Sequence, residues 1–179
     1  MTHPDLVERA VQWLRRHYGC HIVLSEQACA SGEVPDVIGW KRANRSVVVE
    51  CKVSRADFLA DAKKPWRADA QALGCERYYL APAGLIRAAE LPPGWGLLEA
   101  RGREIETTVR CNPRKSLRSE QGLLNELNLL LASLRRVEIR IEPQTITDFL
   151  KWENRMARYN GGTLPEGMED PGKRNSYLN

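Results

Sequence analysis

Asp36, Glu50 and Lys52 are the residues of this chain whose types and spacing can do chemistry. They lie in two Val-rich runs, Val34-Pro35-Asp36-Val37-Ile38 and Val47-Val48-Val49-Glu50-Cys51-Lys52. The spans 34–40 and 46–53 read as strands of a hairpin, joined by the basic, turn-like segment 41–45. An antiparallel pairing about a turn centred on Ala43 sets Asp36 opposite Glu50, with carbons ~5 Å apart. Lys52 stands two residues beyond Glu50, so the pleat puts it on the same face. Ile38 then pairs with Val48 on that face and Val37 with Val49 on the other, which predicts a hairpin buried on both sides.

Two carboxylates directly opposed are destabilising, by up to ~1 kcal/mol at a surface and more when desolvated. A divalent cation removes that cost. A hard ion such as Mg²⁺ takes oxygen ligands, commonly one or two carboxylates together with substrate phosphate and water. A lysine beside the ion would orient or help deprotonate an attacking water and stabilise charge on phosphoryl oxygens. The chemistry depends on register, because a slip of one residue turns the acids to opposite faces.

The elements that must position these residues are legible from pattern. Thr2 caps a first helix, Pro4 lies in its opening turn, Leu6, Val7, Ala10, Val11 and Leu14 recur at helical spacing, and Gly19 ends it. Residues 21–24 read as a short strand and 25–33 as a polar loop. Ser54 and Asp57 form a capping-box pattern that opens a helix, interrupted by Pro65 and closed by Gly74. Residues 77–81, 97–100 and 104–109 read as strands, with a Pro/Gly loop over 91–96. Ser119 precedes an amphipathic helix with leucines at 123, 124, 127, 130, 131 and 134, most simply core that covers a sheet face, with a dimer interface as the alternative. Val137, Ile139 and Ile141 alternate with charges as in a half-exposed strand, a last helix runs from Thr147 toward Tyr159, and 160–179 reads as a loose polar tail.

Pro35-Asp36 followed by Glu50-x-Lys52 at the end of a Val-rich strand resembles the signature of the PD-(D/E)XK nuclease superfamily. Ser54-Arg55-Ala56-Asp57-Phe58, with Asp61 and Lys63 after it, is similar to the MmcB-type DNA-repair branch and related phage proteins. So are Tyr78 to Pro82, Leu91-Pro92 and Gly96-Leu97-Leu98. The resemblance covers about residues 1–110. It implies a restriction-endonuclease-like α/β fold, a central mixed sheet flanked by helices. It also implies that Asp36 and Glu50 bind Mg²⁺ (with Mn²⁺ able to substitute), joined by the backbone carbonyl of Cys51, and that Lys52 serves the attacking water. A further acid is implied from the first helix or the strand before the motif; Glu8 and Glu26 are the candidates, with Glu33 behind them. Gln71 is placed to assist, as a glutamine on the following helix does in some relatives.

The remaining expectations come from composition. At 179 residues the chain suits one domain with an appendage, divided into a core over 1–110, a helical and strand extension over 111–159 and the tail. With 42% hydrophobic and 28% charged residues it is an ordinary globular sequence. Twenty-seven basic residues against 23 acidic leave a charge of +4, which permits a nucleic-acid partner, DNA favoured over RNA. Lys63, Lys64 and Arg67 flank the motif, and Arg114 and Lys115 lie in a basic stretch, as phosphate-positioning candidates. Five cysteines without a C-x-x-C pair point to a reducing cytoplasm, and neither a membrane span nor a signal-peptide core is expected. The reading is a Mg²⁺-dependent nuclease. The alternatives are a nucleic-acid-binding module of the same fold that cleaves poorly, and an interaction protein, in the limit a homodimer, assembled through the leucine helix.

Overall fold

The computed structural model describes residues 1–42, 45–61, 64, 72–113 and 119–140. Six strands form a mixed sheet in sequential order: β1 (Ile22–Ser25), β2 (Val37–Arg42), β3 (Arg45–Cys51), β4 (Glu76–Pro82), β5 (Gly96–Arg101) and β6 (Glu104–Val109). β1, β2 and β3 pair antiparallel, β3–β4 and β4–β5 are parallel, and β5–β6 is an antiparallel hairpin. The helices are α1 (His3–Trp13), α2 (Arg55–Asp61) and α3 (Glu120–Arg140). The molecule is therefore α/β, with a six-stranded mixed sheet flanked by helices. No helix among the described residues is long and apolar enough to cross a membrane.

α1 starts where the sequence says it should. The Thr2 hydroxyl accepts from the Asp5 amide and the Asp5 carboxylate accepts from the Thr2 amide, satisfying two of the donors a helix start leaves open. Its face of Leu6, Val7, Ala10, Trp13 and Leu14 packs on Val37, Val47, Val49, Cys51, Tyr78, Leu80 and Leu98. Each fully buried aliphatic side chain there contributes about 1.5–3 kcal/mol. The helix ends in a π-helical turn, Leu14–Tyr18, and Gly19 at φ 79° reverses the chain. Residues of opposite parity face the other way. Ile38, Trp40 and Val48 join Leu73 and Leu129 in one cluster, and Tyr79, Ala81 and Leu97 join Phe58 and Trp95 in another.

The compact unit that holds the sheet runs from Met1 to Leu130, and residues 131–179 form a second. The first unit thus takes in the beginning of α3, and here two expectations are corrected. The leucine stripe is not core: Leu123, Leu124, Leu127, Leu131 and Leu134 are 44–54% exposed, and of the six only Leu130 packs on the core. The inward face is instead Gly122, Asn125, Glu126 and Leu129. Buried hydrogen bonds decide this, since the Glu126 carboxylate accepts from the Trp40 indole (2.8 Å), the Ser46 hydroxyl (2.8 Å) and the Gly74 amide (3.0 Å). Val137 and Ile139 belong to α3 and not to a strand. No Gly or Pro separates them from Leu134, so the helix continues through the alternation. Ile141, the helix from Thr147 and the tail lie outside the described residues.

Candidate functional site

The register of the β2–β3 hairpin is the one that chemistry requires: Val37 pairs with Val49, Ile38 with Val48 and Gly39 with Val47. One step beyond β2, Asp36 comes opposite Glu50, and its carboxylate accepts a 2.7 Å hydrogen bond from the Cys51 amide. Glu50 and Lys52 are buried, at 1% and 3% exposure. The Lys52 ammonium lies 3.5 Å from Glu50 Oε2, 4.0 Å from Asp36 Oδ2 and 3.1 Å from Asp61 Oδ1. Cys51, between them, turns its side chain into the α1 cluster, where burial and then the Asp36 and Glu50 charges push its thiol up.

Asp61 belongs to this cluster although the motif does not include it. α2 opens directly after Lys52, where the Ser54 hydroxyl accepts from the Asp57 amide and the Asp57 carboxylate accepts from the Val53 amide. Phe58 and Asp61, one turn apart, form its buried face. Tyr79 stands beside Glu50 in the parallel β3–β4 pairing. It donates to Asp61 Oδ2 at 2.8 Å while its ring stacks on Trp95 at 4.6 Å and meets the edge of Phe58 at 5.1 Å. A carboxylate three residues past a buried Phe on a short helix was the available sequence signal. Tyr79 had none, because its relevance comes only from strand pairing.

Three buried or half-buried carboxylates thus surround one buried ammonium. Burial first, then the Glu50 charge, pushes the Asp36 carboxyl up to about 6, against the pull of the Cys51 amide, Lys52 and His3. Lys52 is also shifted up: burial favours its neutral form, but Glu50, Asp61 and Asp36 together outweigh it. The lysine is therefore a fixed cation and hydrogen-bond donor, not a base. At the rim, His3 Nε2 approaches Asp36 Oδ1 (3.5 Å) and Glu26 Oε1 (3.8 Å), and Lys64 reaches Asp61 at 3.0 Å.

Of the candidate acids, Glu26 is drawn to this rim, and its amide bonds the Asp36 carbonyl at 3.0 Å. Glu8 is exposed on α1 and accepts from the Gln12 side chain. Glu33 is buried and accepts from the Leu73 amide, a structural contact under the second cluster. Lys63, Arg67, Gln71, Arg114 and Lys115 lie outside the described residues. Among the described residues no three His, Cys, Asp or Glu side chains converge as a metal-holding group. The pair that faces across the hairpin, Asp36 and Glu50, suits a hard cation that completes its shell with water, as Mg²⁺ does. Soft or tetrahedral metals have no ligand set here.

No family model matches the chain, and no curated protein matches it. A solved structure of a protein of unknown function from Silicibacter pomeroyi is similar, with a TM-score of 0.59 and 27% sequence identity, covering 82% of this chain and 97% of that one.

Proposed function

We propose that the protein is a metal-dependent nuclease of the PD-(D/E)XK type, with a restriction-endonuclease-like fold, that hydrolyses phosphodiester bonds in nucleic acid, DNA in preference to RNA. The observation that carries this reading is the excess of buried negative charge. Asp36, Glu50 and Asp61 share one buried ammonium, and two of the three face each other across a hairpin. Such a cluster is costly unless a cation is added.

Asp36 and Glu50 would hold Mg²⁺ or Mn²⁺, with the Cys51 carbonyl as a third oxygen. When bound, such an ion neutralises phosphoryl charge and lowers the pKa of a coordinated water. The chain's own residues do the rest. Lys52 lies between the two acids and has a third partner in Asp61, the nearest of the three, so it can move aside without losing its counter-charge. Held there as an ammonium, Lys52 orients a water for in-line attack and donates to a phosphoryl oxygen as charge develops on it. Tyr79 and Asp61 position that ammonium, and the aromatic packing of Tyr79 keeps the donor from drifting. The setting that fits is a reducing cytoplasm, with a nucleic-acid partner and no membrane.

A second reading is a binding module of the same fold that does not cleave. It draws on the closeness of Lys52 to Asp61, which lets the cluster persist as an internal ion network. A cleavage panel decides between them: single- and double-stranded DNA and RNA, with Mg²⁺, Mn²⁺ or chelator, for wild type and Lys52→Ala. Metal-dependent cutting that falls at least about a hundredfold in a folded variant with retained binding supports the nuclease. Metal-independent binding without cutting in the wild type refutes it and leaves the module.

A further inference from the structure

Away from the carboxylate cluster, the π-helical end of α1 and the tip of the β5–β6 hairpin enclose a cleft of about 390 Å³. None of Asp36, Glu50, Lys52 or Asp61 lines it. Arg9 ties its two walls together, donating to the Glu104 carbonyl at 2.5 Å. Trp13 and Ile105, both largely buried, supply apolar lining. Around them stand Arg9, Arg16 and Arg103, with His17 beside Arg16 and Glu104 the one acid.

Arg16, His17 and Arg103 are exposed and make no hydrogen bond or ion pair among the described residues. Two backbone features fix where these side chains start. Arg103 sits in a tight turn after Gly102, whose φ of 53° a residue with a side chain rarely adopts. Arg16 and His17 lie in the π-helical turn, a rare conformation found frequently at functional sites. Basic side chains at a helix C-terminus also complement the helix dipole, which accounts for Arg15 and Arg16 but not for Arg103 facing them across the cleft.

We propose that this cleft binds a phosphate-bearing nucleotide unit. Guanidinium groups meet phosphate oxygens in paired hydrogen bonds, and three arginines against one glutamate leave the cleft cationic. Its volume falls in the range of small-molecule pockets, roughly 300–1,000 Å³, larger than a lone oxyanion needs. The apolar lining matches a sugar or base edge. The unit can come from a free mononucleotide or from a strand, and the chemistry is the same. This proposal stands apart from the nuclease reading, because no residue is shared.

Titration calorimetry on the full chain tests it, with inorganic phosphate, a deoxynucleoside monophosphate and a short single-stranded oligodeoxynucleotide at about 50 and about 200 mM salt. The variants are the double substitution Arg16→Ala/Arg103→Ala and, as a control, Arg87→Ala, whose partner Glu90 lies elsewhere. The double variant is expected to melt as the wild type does, since both side chains are exposed and without partners. It should bind the mononucleotide, the strand or both about tenfold more weakly, and the strand's salt slope should fall by about 2. Loss for the mononucleotide alone assigns a free nucleotide; loss for the strand assigns a backbone unit. The proposal is overturned if the wild type binds no probe, if the double variant matches it on both nucleotide probes, or if only inorganic phosphate is affected. Lys52→Ala, tested in parallel, should leave these affinities unchanged.

Discussion

Replacing Asp36 by Asn should stabilise the metal-free protein, although it removes a residue placed at the centre of the site. The carboxyl is pushed up to about 6 from 3.8, first by burial and then by Glu50. That difference corresponds to about 3 kcal/mol between its two protonation states. The sign follows from linkage. A carboxyl raised in the folded state contributes fully below 3.8, and that contribution is lost as pH rises through about 6. At pH 8 the ionised group therefore works against the fold. Asparagine removes the charge while its side-chain oxygen still accepts from the Cys51 amide. The Asp36 side chain is 17% exposed, and Lys52 loses one of three partners, so the gain should be about 1–3 kcal/mol. That is about 3 °C of melting temperature per kcal/mol for a unit of this size. The assay is thermal and urea unfolding with chelator between pH 4 and 8. Asp36→Asn should exceed wild type at pH 8 and converge with it near pH 4. Adding Mg²⁺ should raise the wild type, by about 2.7 kcal/mol at a hundred times its dissociation constant, and leave the variant unmoved. A variant less stable than wild type at pH 8 by more than ~1 kcal/mol would refute the reasoning, because Asp36 would then be a structural counter-ion.

Two other substitutions test the scaffold. Glu126→Ala leaves the Trp40 indole, the Ser46 hydroxyl and the Gly74 amide without their buried acceptor and should cost about 3–5 kcal/mol in urea unfolding; Glu126→Gln should cost clearly less. Glu90, held well below its usual 4.5 by hydrogen bonds from Arg55 and Arg87, contributes stability that is present above 4.5 and lost as pH falls further. Glu90→Gln should therefore flatten the acid limb of the pH–melting curve with only a small effect at pH 7, since the pair is exposed and screened.

The order of elements, the cap of α1 and the pairing of Asp36 with Glu50 were legible in the residues, because they follow from local rules. Thr2 and Gly19 mark helix ends, and alternation with β-branched side chains marks strands. A tight hairpin fixes register over the few residues that follow it. Most of the triad was readable for the same reason: Asp36, Glu50 and Lys52 lie within one hairpin, so no long-range knowledge was needed to bring them together. What the residues did not reveal lies across the sheet or on separate elements. Asp61 and Tyr79 meet Lys52 only because β4 adds parallel to β3 and α2 folds back over the pair.

α3 shows most clearly where pattern fails. Its leucines promise a buried stripe, yet the buried face carries Asn125 and Glu126. Periodicity ranks side chains by their own transfer from water and has no access to partners. The indole, hydroxyl and amide that Glu126 satisfies come from β2, from β3 and from the segment before β4. The one-dimensional chain thus determined the local elements and the pairing of two acids. Only the tertiary structure decided which polar groups the interior accepts, because burial of charge depends on donors brought from distant parts of the chain.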